Sequence, residues 1–368
     1  MDKKDENRLY CSHCGVLINN DDYEMVQGEV VCGDCIERFT QTCECCGARV
    51  WDSDCYGDEY TTLCSSCYQN HYTRCIECNT LLRNDDAYHV DGDDYCSECY
   101  RDIIDRSRII HEYSYKPEPK FRGESKRFFG VELEIDGAGC YSENAEDLLT
   151  IANSDEENLY CKSDGSLDEG FELVTFPMAL KYHKEFCWEQ LMKKAIDMGY
   201  RSHQTKTCGL HVHVNRDSLG DTQDEQEVVI SHILFFVESH WAELLKFSRR
   251  SEYSINRWAA RYGYEKNGRD ILEKAKKGNL GRYAAVNLQN YSTIEFRIFR
   301  GTLKRNTLIA ALELVNEICD IASTQTEDDI AKMSWSDFVK SITEPELITY
   351  LKERQLYVND EVTTEEEM

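Results

Sequence analysis

The stretch FFGVELEID, residues 128–136, alternates apolar and acidic side chains, and it sets how the rest of the chain is interpreted. In a β-strand, residues i and i+2 point to the same face. Glu132 and Glu134 would therefore share one face, and the aliphatic residues beside them would share the other. Carboxylates crowded on one face repel each other unless a cation lies among them. The stretch predicts a strand with a core face and an acidic face.

Three further stretches show the same alternation. LHVHVN (210–215) pairs His211 with His213, TIEFRIF (293–299) pairs Glu295 with Arg297, and FELVTF (171–176) contributes Glu172. For any one of these strands, the solvent face of an ordinary half-exposed sheet is a sufficient explanation. Together, however, they carry carboxylates, imidazoles and a guanidinium where a solvent face usually mixes Thr, Lys, Ser and Gln. Spacing alone does not show whether the strands are neighbours.

This combination of side chains points to a particular chemistry. Carboxylate oxygens with one or two imidazoles suit Mg²⁺ or Mn²⁺. An arginine beside such ions suits a phosphate oxygen. Metal ions, arginine and open carboxylates together are the equipment of phosphoryl transfer from a nucleotide.

The first hundred residues contain a threefold repeat. Residues 11–35, 43–67 and 75–99 each read C-x2-C-x17-C-x2-C, and each repeat begins 32 residues after the previous one. Zinc binds four thiolates in a tetrahedron, and a unit this short needs the metal to fold. The pattern predicts three structural zinc sites, whose ligands are Cys11, Cys14, Cys32 and Cys35; Cys43, Cys46, Cys64 and Cys67; and Cys75, Cys78, Cys96 and Cys99.

Two alternatives to this zinc pairing exist. Disulfides are one, although paired Cys-x-x-Cys motifs in a reducing compartment favour metal. The other is a zinc ion shared between Cys32/Cys35 and Cys43/Cys46, which lie only seven residues apart but would leave the end pairs without partners. Cys45 and Cys55 have no counterpart in the other repeats. The repeats resemble zinc ribbons and halves of LIM domains, which implies a scaffold for recognising a protein or peptide, since closed zinc sites leave no coordination position for catalysis.

The chain divides by composition into four parts. Residues 1–104 hold the zinc repeats, a linker with Pro117 and Pro119 is predicted over 105–124, a larger domain covers 125–357, and residues 358–368 form an acidic tail. The larger domain alternates the strands above, and one more at 283–288, with helices predicted at 179–198, 222–248 and 306–322. We therefore predict an α+β fold preceded by three small zinc modules.

The overall charge narrows the class of partner. The net charge is −27, and residues 1–100 hold 21 Asp and Glu against 7 Lys and Arg. A phosphate backbone would be repelled, so no nucleic-acid partner is expected. The sequence has no apolar run of the ~18 residues that a membrane span needs. We expect a cytoplasmic protein with protein or peptide partners and no membrane association.

The motifs, in this order, resemble the carboxylate–amine ligase superfamily of glutamine synthetase and glutamate–cysteine ligase. They are most similar to the amidoligase family found in bacteria and phages. The resemblance covers roughly residues 127–320 and is carried by FFGVELEID, KSDGSLDEGFELVTFP, CGLHVHV and RYAAVNLQNYSTIEFRIFRGTL. It implies a glutamine-synthetase-like antiparallel sheet funnel packed by helices.

The resemblance also implies roles for residues that match the family's motifs. Metal ligands for Mg²⁺ or Mn²⁺ would be Glu132, Glu134, Glu172, His211 and Glu295, with Glu132 and Glu134 serving one ion each. Residues facing ATP phosphate or substrate would be His213, Arg282, Asn287 and Arg297, of which Arg297 would hold the transferring phosphate. Asp164-Gly165-Ser166 matches a family loop without an assigned role.

The implied activity is ATP- and Mg²⁺-dependent amide formation through an acyl phosphate, with the zinc repeats recognising a protein or peptide. Two other classes remain open. A metal-dependent hydrolase would use the same carboxylates without ATP, and a non-catalytic adaptor would bind through its zinc modules beside a degenerate ligase domain. A thiol nucleophile at Cys208 is less favoured than a buried, inert cysteine.

Overall fold

The computed structural model describes residues 8–18, 22–90, 92–106 and 108–357. The chain forms two compact units, Met1–Ser107 and Arg108–Met368. The predicted acidic tail, residues 358–368, and Asp21 of the first repeat lie outside the described residues.

The first unit repeats a short pattern of knuckle, hairpin and helix. Its strands are β1 Tyr23–Val26, β2 Glu29–Cys32, β3 Thr40–Thr42, β4 Arg49–Trp51, β5 Tyr56–Gly57, β6 Thr62–Leu63, β7 Tyr72–Arg74, β8 Leu81–Arg83, β9 Tyr88–Val90 and β10 Asp93–Tyr95. Its helices are α1 Gly33–Phe39, α2 Ser65–His71 and α3 Ser97–Arg106. Consecutive strands pair into five antiparallel hairpins.

Each knuckle closes in the same way. Gly15, Gly47 and Asn79 directly follow the second cysteine of their repeats and have φ of 74°, 75° and 59°. This left-handed conformation suits glycine and, among other residues, asparagine. Their N–H groups donate to the carbonyl oxygens of Cys11, Cys43 and Cys75 at 2.8–2.9 Å. The chain therefore turns sharply enough to bring both cysteines of a Cys-x-x-Cys pair to one point.

The second unit is built on one large sheet. Its strands are β11 Ile110–His111, β12 Phe128–Ile135, β13 Leu159–Lys162, β14 Phe171–Thr175, β15 Met178–Ala179, β16 Gly209–Asn215, β17 Val286–Asn287 and β18 Thr293–Arg300. The order is β11-β13-β14-β12-β16-β18-β17, with β15 also paired to β12. Every pairing is antiparallel except that of β11 with β13. Ile110–His111 thus belongs to the sheet, although it falls within the segment predicted as a linker.

The described part of the second unit also contains eleven helices. They are α4 Ser142–Ala152, α5 Leu180–Glu185, α6 Trp188–Asp197, α7 Gln223–Ser239, α8 Trp241–Ser248, α9 Glu252–Trp258, α10 Gly268–Lys276, α11 Arg305–Thr324, α12 Glu327–Lys332, α13 Trp335–Ser341 and α14 Pro345–Glu353. The aliphatic residues of β12, β16 and β18 are buried in one core with apolar residues of α6, α7 and α11. The opposite face is left for the polar side chains of the same strands.

Two predicted helices are each broken in the structure. The helix predicted over 179–198 becomes α5 and α6, because Phe186 between them is extended, with φ −65° and ψ 151°. The helix predicted over 222–248 becomes α7 and α8, which meet at His240 with a bend of 80°. Apolar periodicity does not reveal a single non-helical residue, and the bend lets both halves pack against the core. The strand predicted over 283–288 is a regular strand only at Val286–Asn287, with an isolated bridge between Ala284 and Ala260.

The described residues contain no single helix long and apolar enough to cross a membrane, although the bent pair α7–α8 meets the length and composition criteria.

Candidate active site and zinc centres

The order of strands places the polar faces of four predicted strands side by side. Glu132 of β12 lies opposite His211 of β16, and Glu134 lies opposite Glu172 of β14. His213 lies opposite Glu295 of β18. Directly opposite residues of an antiparallel pair have Cβ atoms about 4.5–5.5 Å apart. The side chains that the sequence marked separately therefore meet on one face of the sheet.

One cluster consists of Glu132, His211 and Glu295. The His211 Nδ1 atom is 3.1 Å from Oε2 of Glu132 and 3.6 Å from Oε1 of Glu295. One ligand atom from each of the three residues lies within 4.8 Å of the other two. Two carboxylates and an imidazole at this spacing fit a hard divalent cation.

A second cluster consists of Glu134, Asp164 and Glu172, with ligand atoms again within 4.8 Å of one another. The buried Oε2 atom of Glu172 has no hydrogen-bond partner. Burial, followed by the charges of Glu132, Glu134 and Asp164, raises the pKa of Glu172 well above its usual range. A cation would stabilise this arrangement, because it would offset the repulsion between the carboxylates and would be coordinated by the oxygen of Glu172 that has no hydrogen-bond partner.

The two clusters adjoin each other. Nε2 of His211 is 3.8 Å from Oε1 of Glu134, so this imidazole lies between the two sets of carboxylates. Glu132 and Glu134 fall in different clusters. Asp164 is the addition from the structure: it comes from the loop after β13, where the Ser166 N–H donates to its Oδ1 at 2.6 Å.

Arg297 lies beside the first cluster. Its Nη1 atom donates to Oε1 of Glu295 and is 3.5 Å from Nδ1 of His211, while its buried Nε has no hydrogen-bond partner. Burial opposes the charged form, but the carboxylates of Glu295, Glu132 and Glu134 raise the pKa of Arg297. An irregular register between β16 and β18, in which His211 alone faces Arg297 and Ile298, places the guanidinium here.

The other residues expected to face phosphate lie in different positions. Nδ2 of Asn287 donates to Oε2 of Glu295 at 2.8 Å, so this amide holds a metal-ligand candidate in place. Arg282 donates to the hydroxyl of Tyr113 and lines the same narrow cavity as five of the six cluster residues. Nε2 of His213 is 3.3 Å from Oε1 of Glu132, on the side of a neighbouring cavity.

That neighbouring cavity has a volume of about 370 Å³ and shares Glu132 with the narrow one. Aromatic and proline side chains form much of its wall, among them Tyr160, Phe176 and Tyr291, and Lys162 lies within it. Its size falls in the range of pockets that hold small organic ligands, roughly 300–1,000 Å³.

Sequence reasoning did not identify Arg250. This residue lines the narrow cavity, and its Nε donates to the carbonyl oxygen of Phe299 at 3.0 Å. A Cβ atom at Gly209 would lie 2.4 Å from Nη2 of Arg250, so a larger residue where β16 begins would displace this guanidinium. Arg250 follows α8 in an irregular segment with no periodic signal, and only its tertiary contacts mark it.

Buried Cys208 does not support a thiol mechanism. Burial raises the pKa of the Cys208 thiol to about 12, so a thiolate is absent at neutral pH. The chain therefore uses this cysteine as part of its interior.

The repeated cysteines form three separate groups in the first unit. They are Cys11, Cys14, Cys32 and Cys35; Cys43, Cys46, Cys64 and Cys67; and Cys75, Cys78, Cys96 and Cys99. The sulfur atoms of Cys14 and Cys32, Cys46 and Cys64, and Cys78 and Cys96 are 3.7, 3.9 and 3.8 Å apart. Four thiolates at about 2.3 Å from one zinc ion lie about 3.8 Å apart along each tetrahedral edge. The groups fit one zinc ion per repeat, and the shared pairing of Cys32/Cys35 with Cys43/Cys46 is not the one observed.

Part of the chain is similar to one known protein family. Residues 150–319 match the model of a family described as "Putative amidoligase enzyme". Among solved structures, a bifunctional glutathione synthetase from Pasteurella multocida is similar with a TM-score of 0.34 and 12% identity, over 62% of this chain and 46% of that chain. This chain thus spans less than half the length of that synthetase. No curated protein matches the chain. Residues 150–319 contain Glu172, His211, Glu295 and Arg297, and their similarity to the amidoligase family supports a ligase-type activity.

Proposed function

We propose that the chain is an ATP- and Mg²⁺-dependent ligase that joins a carboxylate to an amine. The observation that carries the proposal is the pair of adjoining carboxylate clusters with Arg297 beside them, most of it within the region similar to amidoligases. Carboxylate clusters alone would also suit a hydrolase. The buried guanidinium at the edge of the clusters favours transfer of a phosphoryl group, whose oxygens it can bind.

The reaction proposed has two steps. An oxygen of the substrate carboxylate attacks the γ-phosphorus of ATP, and ADP leaves, which gives an acyl phosphate. The amine nitrogen then attacks the acyl carbon, phosphate leaves, and the nitrogen loses a proton. Mg²⁺ ions held at the two clusters would neutralise the triphosphate. Glu132, Glu295 and His211 would hold one ion, and Glu134, Asp164 and Glu172 the other.

The chain's other side chains would position the reacting groups. Arg297 would bind the transferring phosphoryl group, and Asn287 would keep Glu295 oriented through its amide. The aromatic cavity next to Glu132 is where we place the nucleoside of ATP, because flat apolar walls suit a purine ring and the cavity opens at the metal clusters. No side chain needs to become a covalent nucleophile, which is consistent with the inert thiol of Cys208.

For the zinc repeats we propose recognition of a protein or peptide that takes part in the reaction. Their closed four-cysteine groups and acidic surface favour binding over catalysis. A protein lacking residues 1–105 should bind such a partner more weakly and keep its basal ATP hydrolysis. Unchanged affinity for the partner would contradict this role.

The test of ligase activity measures ADP release from Mg·ATP by the full chain, with hydroxylamine as the amine, so that an activated carboxylate is trapped as its hydroxamate. Glu132→Gln and Arg297→Lys should each lower the rate at least about 100-fold, as expected when a group that stabilises the transition state is lost. Glu146→Gln changes an exposed glutamate of α4 and serves as the control, which should leave the rate of ADP release unchanged.

The alternatives predict other outcomes. A hydrolase would consume an amide or ester substrate without ATP and form no hydroxamate. An adaptor would neither bind nor hydrolyse nucleotide, and absence of nucleotide binding would overturn the ligase proposal.

A further inference from the structure

A groove rich in positive charge lies beside the active-site candidate. It has a volume of about 450 Å³ and is lined by Ala242, Leu245, Lys246, Arg249, Arg250, Arg300 and Arg354. Five of these seven residues are cationic, in a chain with 69 acidic and 42 basic residues. Such a concentration of cations is unexpected in a chain whose net charge is −27.

Among the described residues, no ion pair neutralises the cations of the groove, although the carboxylate of Glu134 attracts Arg250. Over residues 8–18, 22–90, 92–106 and 108–357, no Asp or Glu oxygen lies within 4.0 Å of these five cations. Their hydrogen bonds go to backbone carbonyl oxygens instead: Arg354 donates to Lys246 at 3.0 and 3.2 Å, and Arg250 donates to Phe299 at 3.0 Å. The backbone thus holds guanidinium groups near one another without a carboxylate in direct contact.

The pKa of nearby His203 responds to the positive charge of the groove. Burial, followed by the positive charges of Arg249, Arg300 and Arg201, lowers the pKa of His203. Like charges brought together destabilise the folded protein unless an anion binds among them. The groove therefore has the properties of an anion-binding surface.

Arg250 connects this groove with the metal-binding cavity, because it lines both of them. Its guanidinium approaches Gly209, whose N–H donates to Oε2 of Glu134 in the second cluster. An anionic ligand in the groove would thus be separated from the proposed metal site only by the side chain of Arg250 and the start of β16.

We propose that this groove binds an acidic peptide segment and presents one of its carboxylates to the metal-binding cavity, so that the carboxylate substrate is polyanionic. The role of the peptide as a substrate rests on the proposed ligase function, but binding of the peptide to the groove can be tested without it. Guanidinium groups bind carboxylates through two parallel hydrogen bonds, which favours a peptide with several Asp or Glu side chains. The net charge of −27 opposes a nucleic acid, whose whole backbone would approach the protein.

The binding test uses fluorescence anisotropy with a labelled hexaglutamate peptide and, for comparison, labelled hexaglutamine. The full chain should bind hexaglutamate and should bind hexaglutamine at least tenfold more weakly. Arg300→Gln combined with Arg354→Gln should weaken hexaglutamate binding at least tenfold, and Arg300→Lys should retain most of it. Arg269→Gln, which removes an exposed arginine from α10, should leave the affinity unchanged. Thermal unfolding of each variant would show that it is folded.

A second measurement separates this inference from the ligase proposal. Hexaglutamate should stimulate ADP release by the unaltered chain, and the double variant should lose that stimulation but keep its basal ATP hydrolysis. Equal binding of both peptides, or unchanged binding by the double variant, would show that the groove is not a binding site for acidic peptides, even if ATP is hydrolysed. Tighter binding of a single-stranded oligonucleotide through the same arginines would also overturn it. Binding of hexaglutamate without stimulated ADP release would overturn its assignment as substrate.

Discussion

At the scale of single residues, Glu172 is a buried carboxylate in an environment that does not favour its charge. It is 2% exposed, one oxygen has no partner, and its neighbours include three other carboxylates. A buried, unpaired carboxylate in such company destabilises the protein that carries it. A bound cation would explain its presence, and this is the basis for proposing a cation at the second cluster.

If Glu172 is retained for ligand binding, removing its charge should make the metal-free protein more stable. We expect Glu172→Gln to raise the unfolding temperature of the metal-free protein by about 2–4 °C, the shift that about 1 kcal/mol produces in a unit of this size. Mg²⁺ should then stabilise the variant less than it stabilises the unaltered chain. Differential scanning calorimetry with and without Mg²⁺ measures both effects. A lower unfolding temperature without metal would contradict the repulsion argued here.

His183 is a residue with a purely structural role. It is 0% exposed, its Nε2 is 3.0 Å from the carbonyl oxygen of Phe129, and burial lowers its pKa to about 4. A histidine that is neutral in the folded protein and protonated in the unfolded one costs stability as the pH falls below about 6.5.

The corresponding prediction concerns acid stability. Between pH 7 and pH 4, His183 should remove about 3 kcal/mol from the free energy of unfolding, because the unfolded chain takes up a proton that the folded chain refuses. His183→Gln keeps a donor for Phe129 and should lose this part of the pH dependence. Urea denaturation at several pH values measures it, with His232→Gln at a partly exposed position as the control. The same pH dependence in both variants would disprove the assignment.

At the scale of elements, the second unit relies on a buried ion pair to connect its helices. Nζ of Lys184 in α5 is 2.7 Å from Oε1 of Glu313 in α11, and Glu313 is 0% exposed. Oε2 of Glu313 accepts from the N–H of Leu347 in α14 at 2.8 Å. Burial raises the pKa of Glu313 to about 7, although Lys184 opposes this shift. Glu313 therefore links three helices, and Lys184 also pairs with Glu344 and, at 3.8 Å, with Glu346.

Removing the lysine alone should be costly. Lys184→Met leaves a buried carboxylate without its cation and should lower the free energy of unfolding by about 3–5 kcal/mol. The double variant with Glu313→Gln should recover part of the loss. Urea denaturation of the single and double variants tests this, and Lys181→Met on the same helix, where the side chain is 86% exposed, is the control. A single variant as stable as the control would refute the role of the pair.

At the scale of the whole molecule, the two units are stabilised in different ways. The core of the second unit includes apolar residues from seven sheet strands and several helices. The first unit has two small clusters of buried residues, largely its own cysteines, among its described residues. Because so little apolar surface is buried there, metal binding must supply much of its folding free energy.

Zinc removal should therefore unfold one unit and spare the other. We expect three zinc ions per chain by elemental analysis, two in a Cys14→Ser variant and three in a Cys45→Ser variant, since Cys45 is exposed and outside the groups. A strong chelator should abolish the thermal transition of the first unit and keep that of the second. Disulfide-linked cysteines, or fewer than three zinc ions in the unaltered chain, would contradict this assignment.

The amino-acid sequence alone determined the repeated four-cysteine groups and the strands that carry the candidate site. Cys-x-x-Cys spacing survives any arrangement of the chain around it, and two-residue alternation places Glu132 beside Glu134 on one face of a strand wherever that strand lies. The limits of β12, β14, β16 and β18 agree with those predicted to within one residue for the same reason.

Only the tertiary structure decided which of these strands are neighbours. The strand order sorts five predicted side chains into two clusters, and a loop adds Asp164 as the sixth. Asn287, predicted to contact a ligand, instead supports Glu295. The tertiary structure also places Arg250 between the metal-binding cavity and the cationic groove. These contacts join residues far apart along the chain, and local periodicity carries no information about them because it reports which face a side chain occupies and not what lies opposite.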